Sequence, residues 1–187
     1  MPPVLRQPEG VAADAAGRLY ITDRDQGVVL RLDASGRVLD PKYATVRRPR
    51  ALAVDTRDRL WVGGDGDADV PWTRGAGELW TVVDGVSRLV VAGPRAVALA
   101  SGPAGSVFVA DRLESVIFVA DPEGRRRDFA KFTDGDAPRA LGFAPDTPET
   151  RRAGIAGDLF VINTTRGVFA VNEVLRISGP FAEFGRP

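Results

Sequence analysis

With neither histidine nor cysteine among its 187 residues, the chain must do whatever chemistry it does with carboxylates, guanidiniums and hydroxyls. A thiolate nucleophile, a disulfide and a cysteine metal site are excluded, and a serine triad loses its usual base. The densest carboxylate group is Asp65-Gly66-Asp67-Ala68-Asp69, where alternating aspartates offer several oxygens to calcium, as the first half of an EF-hand loop does. Val70 stands where that loop needs glycine, and Ala76 where it needs its closing glutamate. The run reads as a solvated polar loop unless Glu78 or a neighbouring segment completes a site. The guanidiniums of interest are Arg50, Arg95 and Arg139, each directly after a proline in a recurring context, while Glu9 follows the first such proline. Converging arginines hold carboxylate or phosphate through forked hydrogen bonds.

These positions recur because the chain repeats. Pro8-Glu9-Gly10-Val11-Ala12, Pro49-Arg50-Ala51-Leu52-Ala53, Pro94-Arg95-Ala96-Val97-Ala98 and Pro138-Arg139-Ala140-Leu141-Gly142 open four copies of one pattern, spaced by a little over forty residues. Each opening leads into a small-residue strand, a turn, a hairpin and a fourth strand. The hairpin is clearest at Gly105 to Gly124, where Val107–Ala110 and Val116–Ala120 carry the branched and aromatic residues that suit strands. Four strands per repeat, the first slim enough to crowd an axis, predict an all-β fold: a β-propeller with four blades of four antiparallel strands each. The whole chain, 1–187, reads as one domain with blades at about 8–48, 49–93, 94–137 and 138–187. In that plan Glu9, Arg50, Arg95 and Arg139 form one ring near the axis, and Asp23, Asp65, Asp111 and Asn163 form another just outside it. The arginines then either receive an anion or pair with strand-end aspartates and tie blades together.

The openings P-x-G/A-V/L-A, followed by L-Y/F/W-V/I strands ending in aspartate, resemble NHL-type repeats and the related gluconolactonase-like six-bladed propellers. NHL-like lyases and quinone-dependent sugar dehydrogenases of this architecture rely on histidine, and none is present. Gluconolactonase-like propellers hold a divalent cation with one glutamate, two asparagines and an aspartate around the axis. Glu9 falls at the glutamate position. Arg139 stands where an asparagine is expected, and the chain's asparagines are Asn163 and Asn172 alone. Four repeats against the family's six leave three arrangements: a closed four-bladed disc, part of a longer propeller, or an open arc completed by another chain. The closed disc is favoured, because the repeats begin and end in phase and an arc exposes strand edges.

Twenty-five basic and 25 acidic residues cancel, so nothing favours nucleic acid or an anionic membrane, and the arginine clusters at 47–48, 125–127 and 151–152 read as protected outer edges. No apolar run is long enough to span a membrane and no signal peptide is visible, which implies the cytoplasm by default, or the periplasm or exterior if a leader was removed. Arginine far outnumbers lysine, which suggests a GC-rich bacterial source. An insertion at Gly63–Gly77 brings Trp72 and Arg74 to a loop suited to a partner. A second, at Pro145–Gly157, holds a helix start at Thr147-Pro148-Glu149. The sequence therefore predicts a non-catalytic binding or scaffolding propeller that engages protein partners, with a homo-oligomer as one way of completing the ring. No cofactor is expected. The alternatives are a calcium-dependent lactonase-like hydrolase using Glu9 and a small-anion-binding propeller using the arginine ring.

Overall fold

The computed structural model describes residues 5–67, 73–102, 105–133, 135–165 and 172–181. Short β-branched runs separated by glycine and aspartate turns become consecutive antiparallel strands, each paired with the next within its own sheet. β1 (Pro8–Ala13), β2 (Leu19–Asp23), β3 (Val28–Leu32) and β4 (Val38–Thr45) make the first sheet. β5 (Pro49–Val54), β6 (Leu60–Gly64), β7 (Gly77–Val83) and β8 (Val86–Gly93) make the second. β9 (Ala96–Ser101), β10 (Val107–Asp111), β11 (Val116–Ala120) and β12 (Arg126–Lys131) make the third. The fourth contains β13 (Asp136–Phe143), β14 (Leu159–Thr165) and β15 (Asn172–Ile177) among the described residues. The outer strand expected at Pro180–Phe184 lies mostly outside the described residues. α1 (Pro148–Arg152) is the single turn the sequence implies, with the Thr147 hydroxyl accepting from the Thr150 amide in a reciprocal cap.

Between neighbouring sheets lies a sandwich of apolar side chains. Tyr20, Val29, Leu60 and Val62 fill the seam between blades 1 and 2, and Trp61, Leu79, Val109 and Phe118 that between blades 2 and 3. Between blades 3 and 4, Phe108 receives Phe129, Phe143 and Phe181 edge-on, with ring centroids 5.1, 5.1 and 5.8 Å away. Glycine permits the close approach of successive blades: a methyl on Gly77 would collide with the Pro94 carbonyl, and one on Gly10 with that of Arg50.

Four of the strand turns share one device. In Asp14–Arg18, Asp33–Arg37, Asp55–Arg59 and Asp121–Arg125, the aspartate accepts from two backbone amides of its own turn and pairs with the arginine four residues on. In blades 1 and 2 the same carboxylate also anchors a core aromatic, taking the Tyr20 hydroxyl at 3.0 Å and the Trp61 indole N–H at 3.0 Å. Burial and the bond to Asp14 push the Tyr20 hydroxyl's pKa up to about 12.

The first strands of the blades pack in series, β1 on β5, β5 on β9 and β9 on β13, and no comparable packing returns from β13 to β1 among the described residues. The closed disc favoured from sequence is not formed by these strands. Among the described residues they make an arc of four blades joined by three seams.

Candidate functional site

The opening of each blade is irregular, and the irregularity places the functional side chains. The ladder between the first two strands slips between Pro8 and Val11, between Pro49 and Ala51, and between Pro138 and Ala140, which turns the intervening side chains out of the sheet. Arg50 emerges in this way beside the axis. It meets Asp65, whose position is set by an extra glycine. Gly64, and not Asp65, pairs with Pro49, as Asp23 pairs with Pro8 and Asn163 with Pro138. Asp65 therefore lies one residue beyond the predicted ring and reaches inward.

There it gathers three guanidiniums from three blades. Arg24 Nε donates to Asp65 Oδ2 at 3.0 Å, Arg50 Nη2 to the same oxygen at 3.1 Å, and Arg95 Nε to Oδ1 at 3.2 Å. Glu9 stands 3.9 Å from Arg50 Nη1, and Gln7 bridges the edge by donating to Glu9 and accepting from Arg24. Burial raises the Asp65 carboxyl's pKa, but the Arg50 charge, the Arg24 hydrogen bond and the Arg95 charge outweigh it, and the net shift is downward. Asp65 is thus held as an anion. Three positive groups face two negative ones, and a small anion entering here would compete with a carboxylate already in place.

The other predicted ring members do different work. Asp23 is fully buried and accepts from the amides of Arg6, Gln7 and Gln26, at 2.6, 3.3 and 3.0 Å, so it brackets the blade opening against the hairpin turn. Asp111 does the same in blade 3 for the amides of Arg95, Leu113 and Glu114. Burial dominates at Asp111 and leaves its pKa raised despite those amides. Asn163 donates to Asp136 and Glu173, within blade 4. Arg139 is exposed and stands apart from the Asp65 group, so the four-membered ring expected from repeat symmetry reduces to Glu9, Arg50 and Arg95.

In the aspartate-rich loop, Asp65 is committed as above, Asp67 pairs with Arg47, and Asp69 lies outside the described residues. Glu78, which would have completed a calcium site, accepts instead from Arg47 and from the Trp80 indole N–H. Among the described residues no three acidic side chains are gathered as metal ligands. Trp72 lies outside the described residues. Arg74 donates to Glu114 at 2.9 Å, linking the insertion of blade 2 to the hairpin turn of blade 3. Sequence reasoning missed Arg24 and Gln7, which follow or precede the obvious repeat positions. The recurrent D-x-x-x-R spacing was readable and would have revealed the turn clamps.

A chain of this topology has many solved counterparts. It superposes on a Kuenenia stuttgartiensis hydrazine synthase chain with a TM-score of 0.66 at 19% identity, covering 98% of this chain and 49% of the other. For a streptogramin B lyase the values are 0.64 and 14%, with coverages of 93% and 56%. For a gluconolactonase from Xanthomonas campestris they are 0.61 and 19%, with coverages of 92% and 62%. The fold is that of a β-propeller. At these identities the likeness establishes architecture alone. The chain spans only about half to three fifths of each of these propeller-containing chains. No protein-family model and no curated protein matches it in sequence.

Proposed function

We propose that this chain is a protein-binding β-propeller arc whose end faces take a partner's β-sheet. The observation that carries the reading is the outer face of blade 4. Across it Ala140 pairs with Ile162 and Ile162 with Val174, so the three form one row. Ile162 is 44% and Val174 67% exposed, whereas Val161, on the opposite face of the same strand, is fully buried against blade 3. At the other end of the arc Val11 pairs with Ile21 and is 66% exposed. The three seams pack the apolar side chains of their central strands under the next blade, and a sheet face left apolar and open is suited to docking another sheet. The axial arginines support the same reading, since Arg50 and Arg95 are spent on linking blades through Asp65.

The first partner to test is a second copy of the chain. Light scattering over a range of concentrations should give a mass above the single-chain 20.0 kDa. The double variant Ile162→Lys/Val174→Lys should return to the single-chain mass with an unchanged far-ultraviolet circular dichroism spectrum. Wild type that stays at the single-chain mass through high micromolar concentration would sink self-association as the role of this face.

A further inference from the structure

A second site lies on the rim, away from the axis and from both end faces. Between blades 1 and 2, a cleft of about 370 Å³ is lined by Arg31, Asp40 and Tyr43 of the first blade and by Asp84, Gly85 and Val86 of the second. Its volume falls in the range of about 300–1,000 Å³ common to small-molecule sites. The β7–β8 turn closes one wall by leaning onto β4, where a methyl on Gly85 would strike the Tyr43 carbonyl oxygen. Ser87 fastens that wall by donating to the Thr45 carbonyl at 2.8 Å.

Arg31 is the unusual member. Its guanidinium carbon lies 4.5 Å from the centre of the Tyr43 ring, so the planar group is fixed by stacking. Its Nε is shielded from solvent and has no hydrogen-bond partner among the described residues. Asp40 sits directly across the β3–β4 ladder from Arg31, yet it accepts from the Lys42 amide at 2.9 Å and forms no ion pair with Arg31 among the described residues. In the four turn clamps, by contrast, each aspartate pairs with the arginine beside it. With Nε shielded and no acceptor within the fold among the described residues, the part of the guanidinium that lines the cleft is left for an acceptor from outside the chain.

We infer that this cleft binds a small amino-acid zwitterion with an apolar side chain. Arg31 takes the ligand's carboxylate, Asp40 and Asp84 take its ammonium group, and Val86 with the Tyr43 ring covers the side chain. The charge arrangement selects the zwitterion. A plain carboxylate would meet two aspartates at the rim, and a plain amine would meet Arg31.

Isothermal titration of the full chain with leucine and phenylalanine tests the inference. Saturable binding of at least one is expected, weakened tenfold or more in N-acetylleucine, which lacks the ammonium, and in leucinamide, which lacks the carboxylate. Arg31→Met keeps an apolar stem on Tyr43 and should weaken binding at least tenfold. Asp84→Asn, at an exposed turn, should weaken it by a smaller factor without touching the core. Three results would overturn the inference: no saturable binding of either amino acid, N-acetylleucine binding as tightly as leucine, or binding indifferent to Arg31→Met.

Discussion

Asp65 is worth more to this molecule than any of its partners, because one buried carboxylate neutralises guanidiniums from three blades. Asp65→Asn removes the carboxylate that Arg24, Arg50 and Arg95 share, and breaking buried pairs of this kind costs about 3–5 kcal/mol. Urea denaturation at neutral pH should show a loss of about 3 kcal/mol, and Arg24→Gln, which removes one of three partners, a smaller one. The pH dependence has a defined sign. Since the folded pKa of Asp65 is depressed, its stabilisation is present above the unfolded value of about 3.9 and disappears as pH falls through the folded value. The gap between wild type and Asp65→Asn should therefore be widest at neutral pH and close in acid. Asp111 works in the opposite sense. Its raised pKa means that its charge costs stability above the folded value, and protonation in acid relieves that cost. The pairing of arginines with carboxylates was legible in the sequence as one of two readings. The identity of the carboxylate was displaced by a single residue, because Gly64 occupies the ladder position that Asp23 and Asp111 hold in their own blades.

At the scale of the element, the repeat was readable almost to the residue. Strand alternation, the four prolines and the glycine turns all act locally, and the first strands begin at Pro8 and Pro49 in blades 1 and 2 and within two residues of Pro94 and Pro138 in blades 3 and 4. The D-x-x-x-R turn shows how one local device acquires different weight from its surroundings. Asp55 holds two amides, Arg59 and the indole N–H of a Trp61 that is entirely buried, whereas the Asp33 turn lies at the surface. Asp55→Ala strands a buried donor and should cost about 2–3 kcal/mol, with a change in Trp61 fluorescence. Asp33→Ala should cost less than about 1 kcal/mol, and thermal melts of the two variants side by side check the difference. The insertion loops resisted reading for the same physical reason in reverse. In Gly63–Gly77, Arg74 finds its partner Glu114 because the next blade brings it near.

The arc was one of three arrangements read from the sequence, and nothing in the sequence chose it over the closed disc. Alternation specifies that a strand has two faces, but curvature and closure depend on how blades wedge against one another, and phase agreement between first and last repeats says nothing about whether their faces meet. Hence the disc expected from four in-phase repeats becomes, among the described residues, a series of three seams with no packing of β13 on β1 comparable to theirs. Repeat arrays of this kind ordinarily open piecemeal, because each unit contacts only its neighbours. The shared carboxylate changes that grammar. Arg24, Asp65 and Arg95 come from the first, second and third blades, so peeling away any one of them releases a charge inside the others. Blades 1 to 3 should exchange their amide hydrogens as one cooperative unit, while blade 4, none of whose described residues joins the knot, should exchange earlier and independently. Native-state hydrogen exchange of the wild type should resolve two classes of protection, and Asp65→Asn should split the slower class into separate blades.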